Sequence, residues 1–69
     1  MTAEEIMKQV TDDAIAWTHE NGLRGDLRVQ PFITEIGFKV TVMEASSQRS
    51  ATCTYQRDGA RSMYELERA

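Results

Sequence analysis

His19 and Asp12 stand seven positions apart, two turns of a helix, and so share one helical face. A histidine beside a carboxylate is a common general acid–base pair. It needs a nucleophile or a bound substrate in a cleft, and no such pattern accompanies it, so a solvated histidine on a charged face is the plainer reading. Cys53 is the lone cysteine. A thiol becomes a nucleophile when a base or cation lowers its pKa. Cys53 instead falls in an alternating apolar run, under a helix, where cysteine behaves as a small apolar residue. Arg24-Gly25-Asp26 spells the tripeptide that cell-adhesion receptors read. Three residues match by chance often, and here they read as a turn entering the first strand. His19 and Cys53 are the only soft metal ligands, and one cysteine closes no disulfide within the chain. Glycine-rich phosphate loops and the HExxH, CxxC, GxSxG and EF-hand patterns are missing from the sequence. No catalytic residue, cofactor or metal is expected.

The elements that would position any site are legible from periodicity. Thr2 and Glu5 form a T-x-x-E capping box, and the spacing predicts a helix over 3–21. Ala3, Ile6, Met7, Val10, Ala14 and Trp17 recur at steps of three and four, which makes one apolar stripe. Asn21-Gly22 is a helix stop, with Leu23 folding back on the last turn. Glu5, Asp12, Ala16, His19 and Glu20 lie opposite the stripe, with Ile15 beside them and Asp13 at the margin.

Beyond Gly22 the period becomes two. Leu27, Val29 and Ile33 alternate with Arg28, Gln30 and Phe32, and Pro31 marks an edge strand or a bulge. A turn at 34–37 leads to Phe38, Val40 and Val42, and a polar loop at 46–49 leads to Ala51, Cys53 and Tyr55. Asp58-Gly59 is a strong hairpin signal, expected as a two-residue type I′ turn. That register pairs Tyr55 with Ser62, Cys53 with Tyr64 and Ala51 with Leu66 on the apolar face. It pairs Gln56 with Arg61, Thr54 with Met63 and Thr52 with Glu65 on the other. The rival is a short helix over 60–69, supported by the propensities of Met, Glu, Leu, Arg and Ala. Its αβββα order resembles a double-stranded RNA-binding domain, whose basic loop and lysine-rich final helix are missing here.

The expected fold is α+β: one domain, 1–69, with an N-terminal helix on an antiparallel meander of about four strands. Trp17 would be buried against Phe38, Val40, Tyr55 and Tyr64. A chain of 69 residues buries only about 60% of its unfolded surface. With neither disulfide nor metal, self-association is the expected reinforcement, and a homodimer is the expected state. The opening MTAEEIMKQV is acidic and amphipathic rather than leader-like, and no apolar run approaches a membrane span. A cytoplasmic location and no membrane partner are expected.

Two surfaces are candidates for binding. The net charge is −3, and it is concentrated: residues 1–22 hold five acids against Lys8 alone, a net of −4. The helix face of Glu5, Asp12, Ile15, His19 and Glu20 therefore suits a partner protein with a basic surface. The uncovered sheet face would carry Arg28, Phe32, Lys39, Met43, Arg61 and Met63, an interface-like mixture. The leading expectation is a small non-enzymatic protein-binding module. Small acidic one-domain chains of this kind include phage and mobile-element inhibitors, anti-CRISPR proteins among them. The alternatives are a single-stranded nucleic-acid binder using the sheet face and a small enzyme working by an unrecognised route.

Overall fold

A computed structural model describes residues 2–67. Helix α1 (Ala3–Glu20) is followed by strands β1 (Leu27–Thr34), β2 (Gly37–Glu44), β3 (Ser50–Gln56) and β4 (Arg61–Glu67). The strands form one antiparallel sheet in the order β1-β2-β3-β4, and α1 lies across one of its faces. The capping box is formed in both directions between Thr2 and Glu5. Residue 21 caps the helix instead of extending it, and the Leu23 amide returns to the Thr18 carbonyl at 3.2 Å.

The core joins Val10 and Ala14 of α1 to Phe38, Val40 and Val42 of β2 and Cys53 and Tyr55 of β3. Each large apolar side chain fully removed from water contributes about 1.5–3 kcal/mol before entropy is charged against it. The helix stripe is the expected one at Ile6, Met7, Val10, Ala14 and Trp17, with Ala3 exposed and Thr18 added to the buried side. Thr18 is wholly buried, its hydroxyl donating to the Ala14 carbonyl at 2.7 Å. Trp17 is only partly buried and meets the Tyr64 ring edge-on at 4.9 Å, at the flank of the core and not its centre. Threonine is tolerated at this buried position because its hydroxyl is satisfied within its own helix.

Strand β4 replaces the helix considered over 60–69, of which residues 68 and 69 lie outside the described residues. The hairpin exists, but its turn is not type I′. The Gly59 amide donates to the Gln56 carbonyl at 2.9 Å, and the Gln56 amide to the Ala60 carbonyl at 2.8 Å. Gly59 has φ 90°, while Asp58 is not at positive φ. This is a three-residue loop closed by a glycine bulge. The Asp58 side chain reinforces it by accepting from the Ala60 amide at 3.0 Å.

The longer loop shifts the nearest rungs. Tyr55 lies opposite Arg61, not Ser62, and the register slips between Thr54 and Tyr55. Farther from the turn, Cys53 faces Tyr64, Ala51 faces Leu66, Thr54 faces Met63 and Thr52 faces Glu65, as expected. Ser62 absorbs the extra residue, so Arg61 changes faces.

Pro31 sits in edge strand β1, opposite Val40. Ile33 shares the helix side through its partner Phe38 but is 73% exposed. The stripe packs chiefly on β2, leaving the far end of the edge strand uncovered. No described helix is long and apolar enough to cross a membrane.

Candidate functional site

The sheet face away from α1 is built as three rows, because alternate residues of each strand point the same way. Phe32, Lys39, Thr54 and Met63 make the first row. Gln30, Thr41, Thr52 and Glu65 make the second, and Arg28, Met43, Ser50 and Glu67 the third. Phe32, Met43 and Met63 are exposed, large and apolar. The Lys39 ammonium lies 6.0 Å from the Phe32 ring centre, within reach of a cation–π contact. A depression of about 260 Å³ opens between Arg28, Gln30, Thr41, Met43 and Ser50. A second, of about 370 Å³, adjoins it at Arg28, Met43, Ala45 and Gln48.

Five of the six expected residues are on this surface: Arg28, Phe32, Lys39, Met43 and Met63. Arg61 is the correction. The bulge at Ser62 turns it toward α1, where its guanidinium meets Asp13 at 2.7 and 3.2 Å and lies 4.9 Å from the Tyr64 ring. Glu65 and Glu67 occupy the sheet face as well, so among the described residues two cations meet two acids there. The cations lie on β1 and β2 and the acids on β4, which polarises the face from one edge to the other.

On the opposite side, Glu5, Asp12, His19 and Glu20 are exposed along α1. Ile15 is half-buried, less available than its place on the helix wheel suggested. No hydrogen bond joins His19 to Asp12. Among the described residues no three His, Cys, Asp or Glu side chains gather into a metal site.

Asp13, marginal in the helix pattern, is the centre of a polar cluster. Its carboxylate accepts from Tyr64, from Tyr55 at 2.8 Å and from Arg61. The two phenol oxygens lie 2.9 Å apart. Burial opposes ionisation of Asp13, but hydrogen bonds from Arg61, Tyr64 and Tyr55 outweigh it and hold the carboxyl below its ordinary value. Burial, then donation to Asp13, pushes Tyr64 up to about 12. Tyr55 rises further, through burial and its hydrogen bonds to Tyr64 and Asp13. Burial pushes the Cys53 thiol up to about 11. These shifts run away from neutral pH, so the carboxylate stays charged and the phenols and thiol keep their protons there. The cluster fastens α1 to β3 and β4. Its sequence signal was weak, since a carboxylate at the edge of an apolar stripe pairs only with residues more than forty positions away.

Glu44 was also missed. It accepts from the Gly25 amide at 2.9 Å and from the Ser47 hydroxyl at 2.5 Å, tying the 24–26 turn to the loop after β2. The Ser47 bond, then the Gly25 bond, lowers its pKa. Arg24-Gly25-Asp26 is thus a braced structural turn. The chain matches no protein-family model, no curated protein and no solved structure.

Proposed function

We propose that this protein is a non-enzymatic protein-binding module that acts by docking. The observation that carries this reading is the open sheet face, where Phe32, Met43 and Met63 are exposed beside Arg28 and Lys39. Water-exposed aromatic and methionine side chains framed by arginine have the composition of an interface centre. The acidic outer face of α1 supplies a second surface. Glu5, Asp12 and Glu20 are exposed there, and none is ion-paired within the described residues. Their field favours a protein partner with a basic groove. Small size and concentrated acidity support placing the chain among inhibitors of the phage or mobile-element kind, anti-CRISPR proteins included, working in the cytoplasm.

The nucleic-acid alternative is less supported. Among the described residues Phe32 is the single aromatic on the sheet face, and Glu65 and Glu67 offset Arg28 and Lys39 there, whereas a strand-binding platform needs stacked aromatics in a cationic groove. The test is capture of a partner by the tagged chain, its identification, and titration against two variants, Glu5→Lys/Asp12→Lys and Phe32→Ala/Met63→Ala. Weakened binding in either variant, with the fold intact by circular dichroism, supports docking. Unchanged affinity in both, or tight single-stranded RNA binding with a steep salt slope, overturns it.

A further inference from the structure

We infer that the open sheet face is covered by a second copy of this chain, the two sheets packing face to face about a two-fold axis parallel to the strands and between β2 and β3. The inference rests on the reading of that face as a docking surface and names its occupant. It follows from the polarity of the face. A two-fold dimer brings the same patch onto itself, so a face with cations at one edge and acids at the other must be turned edge for edge.

An axis along the strands does this. It lays β1 over the partner's β4 and β2 over the partner's β3, and it keeps each row over itself. Arg28 then faces the second copy's Glu67, and Gln30 faces its Glu65. Phe32 meets the second copy's Met63, a sulfur–aromatic contact, and Thr41 meets its Thr52. Lys39 lies over the second copy's Thr54 and Met43 over its Ser50, without opposing like charges, and every pair occurs twice by symmetry. The other in-plane axis, perpendicular to the strands, sets Glu65 against its own copy and stacks the first row on the third, with Arg28 over Phe32. Like charges opposed at an interface are disfavoured, so charge selects the first axis.

Shape agrees with charge. The depression between Arg28, Gln30, Thr41, Met43 and Ser50 is open to receive an acidic side chain arriving from above β1, and Glu67 and Glu65 of the second copy lie there. Within one chain, among the described residues, Glu67 accepts a 3.4 Å bond from the Ser50 hydroxyl. Packed sheets are rotated by about 30°, which moves the edge strands by less than one row, within the reach of arginine and glutamate. The face is four strands wide at ~4.8 Å spacing and roughly 20 Å long. The pair therefore buries on the order of 1,000 Å², near the lower limit for a specific interface, and the dimer is a concentration-dependent one. Both acidic helices then face outward, on opposite sides of the dimer.

The experiment is sedimentation of the whole chain from about 1 to 200 µM with charge-swapped variants, each checked for folding by circular dichroism. Wild type should shift from monomer to dimer across the range. Arg28→Glu and Glu67→Arg should each weaken the dimer by about tenfold or more, since each sets like charges together twice. The double variant Arg28→Glu/Glu67→Arg should restore it, and an equimolar mixture of the two single variants should form a heterodimer. Wild type remaining monomeric at 200 µM overturns the inference. So do single variants that dimerise as wild type does, or a double variant that is not rescued. Those failures leave the docking reading standing if Phe32→Ala/Met63→Ala still loses the captured partner. If that variant keeps both the dimer and the partner, the docking reading of this face fails instead.

Discussion

At the residue scale, Asp13 concentrates the most consequence in one side chain. Removing its carboxylate leaves the hydroxyl of Tyr55, which is 1% exposed, without its acceptor, leaves Tyr64 only the Tyr55 oxygen to donate to, and leaves Arg61 without its partner. A hydrogen bond to a charged group contributes about 1.5–3 kcal/mol, and a stranded buried donor costs a similar amount. Asp13→Ala should therefore lose about 2–3 kcal/mol in urea denaturation, and Arg61→Ala, on the exposed and solvent-screened side of the pair, should lose clearly less. Equal losses in the two variants would mean that the ion pair, and not the tyrosine contacts, carries the cluster. Gly37 is a different constraint. A β-carbon there would overlap the Tyr55 carbonyl oxygen and the Gln56 backbone, so the first residue of β2 must be glycine for β3 to approach. Gly37→Ala should cost several kcal/mol, on the order of an overpacked core site. A folded variant of wild-type stability would show that the two strands separate freely at this end.

The helix and the final hairpin each depend on their terminal chemistry. The capping box at Thr2 and Glu5 satisfies free amides at the helix start, and Thr2→Ala should cost about 1 kcal/mol. Gly59 holds φ 90°, and a β-carbon there would press on the Ile6 methyl at 3.3 Å. Gly59→Ala should cost about 1–2 kcal/mol from the left-handed backbone alone. Gly59→Asn should recover part of the backbone cost, since asparagine tolerates this region better. A chemical-denaturation series in which alanine and asparagine are both neutral would refute the bulged turn. Trp17 tests where the helix stripe lies. Because it packs at the flank of the core against Tyr64, Trp17→Ala should cost about 2 kcal/mol, below the roughly 3–5 of a fully buried aromatic. A loss at the upper end would return Trp17 to the centre of the core.

For the molecule as a whole, the same cluster sets a pH window. The folded Asp13 carboxyl titrates below its ordinary 3.8, so its contribution is complete above that value and is lost as pH falls through the folded one. Tyr64 and Cys53 shift the other way, to about 12 and about 11. Their contributions are complete below the ordinary values of 10.0 and 9.0 and are lost as pH rises through the folded ones. Stability should be flat from about pH 5 to 8, fall in acid below pH 4 and fall again above pH 9. Asp13→Asn should flatten the acid limb. Thermal melts across pH would decide this, and an unchanged acid limb in Asp13→Asn would place the acid sensitivity elsewhere. One layer of helix on one sheet leaves half of the sheet surface to water, and for that reason the docking surface and the dimer proposal belong to this scale.

Local periodicity and end signals determined much of this molecule before any contact was considered. The capping box, the apolar stripe, the Asn21-Gly22 stop, the period of two after Gly22, the edge position of Pro31 and most of the β3–β4 register are written in short stretches of chain. They are legible because each depends on neighbours within a few residues, or on a parity that flips wholesale if misread. The same parity placed Phe32, Met43 and Met63 on the uncovered face. The tertiary structure alone decided what depends on distant partners. Asp13 could be recognised as a keystone only once β3 and β4 brought Tyr55, Tyr64 and Arg61 to it. One additional residue in the final turn moved Arg61 from the open face to the helix side, and with it the charge balance of the candidate surface. Thr18 is wholly buried while Trp17 stays at the flank of the core, because packing selects by volume and satisfied hydrogen bonds, neither of which a helical wheel contains.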